Sequence, residues 1–342
     1  MQDIKDLTLK ELESIVKNWG KPAFHAEQIF AWVYKKGTQD FEQMNDLPLD
    51  LRKQLKENFT LRSLKLIKSV QSQDRTEKFV LQLKDGNLIE AVTIPVPKRV
   101  TGCVSTQVGC KFGCFFCASG LLGFKRNLTV GEIIDQALYL RNKSLGKSLT
   151  HIVFMGMGEP LDNYDNVMKA IRIINSPEAF HIGARRITIS TCGIIPGIKR
   201  LSEEGLQIEL SVSLHAADDK ARTQIMPVNK KYSLQELMLV CKEYIKKTNR
   251  QITFEYILIK GMNSDLQSAK NLSTILKGLN CKVNLIPANV VKECRIELPN
   301  KLDILLFKDY LKSEGINAIL RKPRGQDIEA ACGQLRLSHE NK

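Results

Sequence analysis

The sequence predicts an α/β protein, an incomplete parallel barrel preceded by a small α+β domain. Three observations lead there. From Val100 onward strand-like and helix-like stretches alternate, which makes successive strands parallel. Before residue 98, helices are followed by a hairpin sheet. Unusual sequence follows nearly every later strand at its C-terminal end, the face on which parallel barrels carry their sites. The expected division is therefore 1–98, an accessory domain, and 99–342, the main domain.

The elements follow in order. Leu9 to Trp19 is amphipathic and stops at Gly20, and Ala26 to Lys36 stops at Gly37 in the same way. Leu49 to Phe59 is a third amphipathic stretch. The period then changes to that of strands at Leu64 to Ser72, Glu77 to Leu83 and Asn87 to Ile94, the last two joined by the hairpin signal Asp85-Gly86. Pro95 and Pro97 suggest a boundary near residue 98, since proline does not continue a sheet interior. Beyond it the expected strands are Val100 to Thr106, Thr150 to Met155, Arg186 to Thr191, Gln207 to Ser213, Gln251 to Ile259, Lys282 to Ile286 and Asn317 to Arg321. Thr129 with Glu132, and Ser233 with Glu236, are capping boxes that start helices between them. Six or seven βα units in this length fit an open barrel better than an eight-fold one, with a doubly wound sheet as the competing arrangement.

Composition narrows the class. Of the 342 residues 43% are hydrophobic and 26% charged, which excludes a disordered or fibrous chain. No apolar run approaches the roughly 18 residues needed to cross a bilayer, and the polar start from Met1 to Lys10 is not that of a secretory leader, so a cytoplasmic protein is expected. Nine cysteines, an odd number, point to metal or redox chemistry rather than disulfide stapling. The net charge is +14; up to Lys98 there are 16 basic and 14 acidic side chains, so most of the excess lies beyond it. Charge of that size permits steering toward a polyanion. The basic runs Lys98-Arg99, Arg185-Arg186, Lys199-Arg200, Lys230-Lys231, Lys246-Lys247 and Arg321 to Arg324 are either phosphate contacts around the mouth or solvated faces. Trp32 and Tyr34 are either part of an RNA grip or core.

The strongest chemical signal is Cys110-Lys-Phe-Gly-Cys114-Phe-Phe-Cys117. Three thiolates within eight residues on a strand-to-helix loop can hold one metal centre. A [4Fe–4S] cluster usually takes four cysteines, so three local ones leave an iron open to another ligand. A structural zinc with a distant fourth ligand, or a CxxC redox pair, are the alternatives on spacing alone.

The flanking text resembles one family. "CVSTQVGCKFGCFFCASG", "MGMGEPLDN", "RRITISTCGIIP", "SVSLHA", "MPVNKKY", "ITFEYILIKGMN", "VNLIPAN" and "RGQDIEAACGQL" are similar, in colinear order from about Glu90 to Leu335, to the RlmN-type adenine-C2 methyltransferases of ribosomal and transfer RNA, within the radical S-adenosylmethionine (SAM) superfamily. The resemblance implies a partial (β/α)6 TIM-like radical SAM barrel, one [4Fe–4S] cluster on Cys110, Cys114 and Cys117, and two SAM molecules per turnover. Cofactor contacts carry over to Gly158, Glu159, Ser190, Ser213, Leu214, His215 and Asn289. Cys332 corresponds to the methyl carrier, Cys103 to the thiol that resolves the covalent intermediate, and Glu90 to a proton acceptor. Glu90 on its own would be read as a solvated strand residue. Cys192, Cys241, Cys281 and Cys294 match no role and are expected to be structural thiols.

The resemblance also implies 23S ribosomal RNA and transfer RNA as substrates, an electron donor such as flavodoxin or ferredoxin, and a monomer. The target base must be unstacked, because C2 cannot reach a protein sulfur from within a duplex. Where the family commonly has "NLIPYNP" this chain has "NLIPANV", and the segment Val290 to Pro299 is also unusual, which implies altered packing beside Asn289. The competing readings are a Cfr-type adenine-C8 methyltransferase, which shares the key cysteines, and a non-catalytic RNA-binding protein with a structural metal site, which needs neither Cys103 nor Cys332.

Overall fold

Apolar strands that alternate with amphipathic helices are stable only when the helices cover the sheet, and the computed structural model has this arrangement. It describes residues 1–61, 64–121, 123–143, 149–289 and 296–335. One sheet of ten strands dominates: β1 Lys65–Gln71, β2 Glu77–Gln82, β3 Leu88–Val96, β4 Arg99–Cys103, β5 His151–Phe154, β6 Ile187–Thr191, β7 Glu209–Ser213, β8 Ile252–Leu258, β9 Cys281–Pro287 and β10 Ala318–Leu320. Their spatial order is their chain order, and β10 and β1 are the two edges. Strands β4 to β10 are parallel. Each of the six crossovers between them carries a helix, among them Val130–Lys143, Tyr164–Asn175, Leu234–Thr248 and Lys301–Ser313. The partial barrel therefore has six βα units and a seventh strand, and it stays open.

The helices start where the side chains satisfy the first free N–H groups. Ser233 and Glu236 exchange bonds in a reciprocal capping box, and Thr129 and Glu132 do the same. Asn300 caps the helix at Lys301 by accepting from the Asp303 N–H at 2.8 Å.

The sheet does not stop at residue 98. Pro95 lies opposite Val100 and Val96 opposite Arg99, so Pro97 and Lys98 form the turn of a hairpin, with Lys98 at φ +62°. Proline is tolerated here because a strand end needs no further ladder bond. Strands β1 to β3 are thus an antiparallel edge of the barrel sheet itself. Their apolar side, Phe79 with Leu81, Ile89 and Ala91, is buried, and Phe79 meets Tyr139 of helix Val130–Lys143 edge-on at 5.3 Å.

The N-terminal helices are Leu9–Asn18, Phe24–Phe30 and Leu49–Asn58, and the turn Ile4–Asp6 ahead of them packs on that same helix. Asp6 Oδ1 accepts from the Gly131 N–H at 2.7 Å, and buried Lys5 lies between Asp3 (3.1 Å) and Asp135 (3.3 Å). Tyr34 is core, 1% exposed, and Trp32 is half-buried beneath Lys36 with its indole donating to Asp46. Tyr34 is therefore not part of an RNA-gripping surface. Among the described residues no helix is long and apolar enough to cross a membrane.

Candidate active site

The cysteine loop begins where the chain leaves β4. Gln107–Gly109 pairs with Phe124–Asn127 as a short antiparallel ribbon, and Cys110 to Cys117 lie between its two halves. Gly109 makes this closure possible. Its φ is +73°, and a Cβ there would lie 1.7 Å from the Gly123 carbonyl oxygen, which accepts the Cys110 N–H at 3.0 Å. The Cys117 N–H donates to the Cys114 carbonyl, and the Phe115 N–H to that of Ile225, so the loop is fastened at both levels.

All three thiols open onto one pocket at the C-terminal ends of the strands, with about 980 Å³ of empty space. Burial pushes Cys110 up to about 12 and raises Cys114 and Cys117 too; Cys117 acts on both of the others. Among the described residues no three ligating side chains converge on a single ion. Three buried thiols facing a common space, each made hard to ionise by burial, are a donor set that a positively charged cluster would turn into thiolates, displacing their protons. The residues fit the cluster.

Gly158, Glu159, Ser190, Ser213, His215 and Cys332 line the same pocket. Gly158 has φ +95°, and a Cβ on it would lie 2.5 Å from Gln107 Cβ, so the chain after β5 passes directly against the start of the cysteine loop. Glu159 is buried. Its carboxylate accepts the Leu161 N–H (3.0 Å) and the Cys192 N–H (2.7 Å), and burial raises its pKa against those bonds. His215, at φ +57°, accepts the Ile257 N–H on Nδ1 at 3.0 Å and meets the Phe116 ring edge-on. Burial, then Arg222, lowers its pKa to about 3, so it is neutral.

Four expected residues do not line this pocket: Leu214, Asn289 and Glu90, and Cys103 described below. Leu214 is fully buried core and reaches the site only through its backbone. Asn289 is 3% exposed and does not line the pocket. It donates to the Cys332 carbonyl at 2.9 Å and accepts from Gln326 at 2.7 Å, so it holds the loop that carries Cys332. Glu90 is not solvated. It is wholly buried on β3 and ion-paired with Lys78 at 3.3 Å. Lys78, itself held by the Glu329 carbonyl, covers its carboxylate.

Cys332 is exposed, and its loop is stitched on both sides. The Gly333 carbonyl accepts from the Ala118 N–H at 2.8 Å and the Leu335 carbonyl from Ser119 Oγ at 2.7 Å, both directly after Cys117. On the other side Asp327 accepts from Ser72 Oγ (2.6 Å), and Lys78 donates to the Glu329 carbonyl. Cys103 is buried at the end of β4. Burial, then the charge of Cys332, pushes it up to about 12, and Arg321 opposes the rise. Arg321 feels both sulfurs and lies 3.8 Å from Glu255. The eight described cysteines are free thiols. Cys192, expected as structural, also lines the pocket, whereas Cys241 is core. Cys294 and most of the unusual segment after Asn289 lie outside the described residues.

Sequence reasoning missed Arg222. It is fully buried, and its guanidinium donates to the carbonyls of Leu214 (3.2 Å), Cys192 (2.8 Å) and Ser213 (3.3 Å) and to Asn229 Oδ1 (2.8 Å). One side chain thus pins the loops after β6 and β7 together. Its only sequence signal was its place between "SVSLHA" and "MPVN". The basic runs also sort by position. Arg99 opens β4, Arg185 and Arg186 precede β6, and Lys246 and Lys247 precede β8, all at the strand ends opposite the mouth. Lys247 pairs with Glu203 and Arg200 with Asp165. Lys230-Lys231 and Arg321 to Arg324 follow strands and remain on the site's side.

Comparison with known proteins agrees with this geometry. Residues 2–61 match the ribosomal RNA large subunit methyltransferase N-terminal domain, and residues 104–270 match the radical SAM superfamily. Proteins named probable dual-specificity RNA methyltransferase RlmN from Thermoanaerobacter sp. (strain X514) and Clostridium perfringens (strain SM101 / Type A) are each 47% identical over 340 residues. That span covers 99% of this chain in both cases, and 99% and 98% of the relatives. The crystal structure of a radical SAM methyltransferase from Sphaerobacter thermophilus superposes with a TM-score of 0.94 at 43% identity, covering 98% of this chain and 99% of that one.

Proposed function

Since the chain belongs to the RlmN family of radical SAM dual-specificity RNA methyltransferases, we propose that it methylates C2 of adenine in 23S ribosomal RNA and in transfer RNA, with Cys332 as methyl carrier and Cys103 as resolving thiol. The observation that carries this reading is the placement of Cys332. It is an exposed thiol on a loop bonded directly to Ala118 and Ser119, beside the cluster cysteines, and it lines the pocket they line.

Cys110, Cys114 and Cys117 would hold a [4Fe–4S] cluster, and Gly158, Glu159, Ser190, Ser213 and His215 would line the SAM site. When bound, the cluster and two SAM molecules per turnover supply a methyl group and a 5′-deoxyadenosyl radical able to take a hydrogen atom from that methyl. The protein's own residues do the rest. C2 of adenine has no lone pair, so a polar methyl transfer finds no nucleophile, and a carbon radical on the Cys332 sulfur is the group that adds. This joins RNA to protein. Glu90 accepts the C2 proton, and the unpaired electron of the adduct would return to the oxidised cluster. Cys103 as thiolate then attacks the Cys332 sulfur, leaving a disulfide, and the expelled carbon takes a proton to complete methyladenine. Asn289 and Leu214 act through the backbone they hold.

Residues 1–98 serve as the accessory unit and 99–342 as the catalytic one, although a single sheet runs through both. The remaining parts of the reading are a cytoplasmic monomer and reduction by a flavodoxin or ferredoxin. Mass spectrometry of nucleosides from RNA of a deletion strain tests the function. The reading expects loss of 2-methyladenosine and its return with the wild-type gene but not with Cys332→Ala. Loss of 8-methyladenosine instead would assign the C8 chemistry, and full methylation by a folded Cys332→Ala protein would refute the carrier.

A further inference from the structure

Lys78 is the most deeply buried lysine beside the site, and nothing in the reaction above uses it. It sits on β2 with 4% exposure. Register places it opposite Val92 of β3, which is opposite Cys103 of β4, while Glu90 is opposite Val80. Directly paired residues share a face, so Lys78, Glu90 and Cys103 project from the same side of three neighbouring strands. Lys78 Nζ lies 3.3 Å from Glu90 Oε1 and donates to the Glu329 carbonyl at 3.1 Å. Glu329 has φ +53° and stands three residues before Cys332.

We infer that Lys78 is a positioning residue for the known reaction. Its ammonium keeps the Glu90 carboxylate charged in a dry interior, and the same nitrogen fixes the turn that presents Cys332. The inference rests on Glu90 being the base. A wholly buried carboxylate without a cation would take up a proton and could accept none from C2. In the step concerned the C2–H bond of the adduct breaks, the proton passes to a Glu90 oxygen, the bonding pair stays with the ring, and the unpaired electron left by radical addition would pass to a one-electron acceptor, the oxidised iron–sulfur cluster. The titratable groups sharing this face are Lys78 from β2 and Cys103 from β4, with the Arg321 guanidinium beside Cys103. One ammonium then links the group that removes the proton to the loop that carries the methyl, and this gives β1 to β3 a role in catalysis.

The test uses the full chain with Lys78→Met, Lys78→Gln and Lys78→Arg, alongside Glu90→Gln. In metal-free protein labelled with 13C-glutamate, the infrared difference between wild type and Glu90→Gln isolates the Glu90 carboxyl. An ionised band is expected in wild type and in Lys78→Arg, and a protonated one in Lys78→Met and Lys78→Gln. In protein purified from cells, Lys78→Gln still donates to Glu329, so it should carry methylated Cys332 yet release RNA more slowly, by a factor on the order of 10². It should accumulate joined to RNA as Glu90→Gln does, and Lys78→Arg should restore release. An ionised Glu90 in Lys78→Gln, or normal release by that variant while Glu90→Gln stalls, overturns the inference. Normal release by Glu90→Gln itself overturns instead the reading of Glu90 as base, and the infrared result then still decides whether Lys78 sets its charge.

Discussion

Replacing Arg222 by Met tests the claim that one guanidinium holds the cofactor-side loops together. Met has similar length and needs no hydrogen bonds, so the change removes donors while nearly preserving volume. Three backbone carbonyls and the Asn229 amide oxygen lose their partner, in a place with no access to water. Each buried acceptor left alone costs about 1–3 kcal/mol. The change also relieves the desolvation of the guanidinium, which offsets part of the loss. The expected net destabilisation is about 3–5 kcal/mol, less than four lost acceptors would cost without that relief. The loops after β6 and β7 carry Cys192 and His215 to the pocket, so SAM affinity should fall as well. Urea titration of anaerobically purified protein gives the first quantity from the midpoint shift at constant slope. Equilibrium dialysis with labelled SAM gives the second. A midpoint within the error of wild type, with unchanged SAM affinity, would refute the reasoning. Equal loss in Arg222→Lys would support it, since an ammonium cannot reach four acceptors spread around a planar fork.

Three further outcomes are expected. Cys103→Ala should methylate Cys332 and then stall joined to RNA through a methylene bridge, while the double variant with Cys332→Ala carries no RNA; peptide mass after ribonuclease digestion reads both, and RNA-free Cys103→Ala would remove Cys103 from the mechanism. Gly109→Ala should lose most of its iron, because the new methyl meets the Gly123 carbonyl and φ +73° adds strain of about 1–2 kcal/mol; full iron content after anaerobic reconstitution would contradict this. His215 has a lowered pKa in the folded state, so its contribution is present above its ordinary value of 6.5 and is lost as pH falls toward about 3, at about 1.4 kcal/mol per pH unit. His215→Asn, which tolerates the left-handed backbone, should flatten the acid limb of stability against pH by one proton, and parallel limbs in urea titrations would count against it.

Much of the fold was legible because periodicity reports which face of an element is buried, and the seven parallel strands follow that alternation. The cysteine loop was legible for a different reason: ligand spacing is local, and three thiolates within one turn of loop have few other uses. What escaped were properties set by residues far apart in the chain. Glu90 looked solvated because a strand shows only its own alternation, while its burial comes from Lys78 and the segment near Glu329. Asn289 was placed on the cofactor, yet its partners are Cys332 and Gln326, some forty residues later. The boundary near residue 98 was read from prolines that turn a hairpin without ending its sheet. Arg222 was one cation among 51 lysines and arginines, and only burial distinguishes it.

The sheet's spatial order has a consequence for how the molecule assembles. Every strand of the ten-strand sheet pairs with the sheet strand next to it in sequence, so the barrel can grow by adding one neighbour at a time, each closing a connection much shorter than the chain. The Cys332 segment is different. Its bonds from Lys78 to Glu329 and from Ser72 to Asp327 span 251 and 255 residues. Contacts of that separation cost the most chain entropy when formed early, and the least once the barrel has brought both ends together. The Cys332 segment is therefore a latch that closes on a finished barrel. In native-state hydrogen exchange the 325–335 segment should open as a unit of its own, well below the free energy needed to unfold the strands.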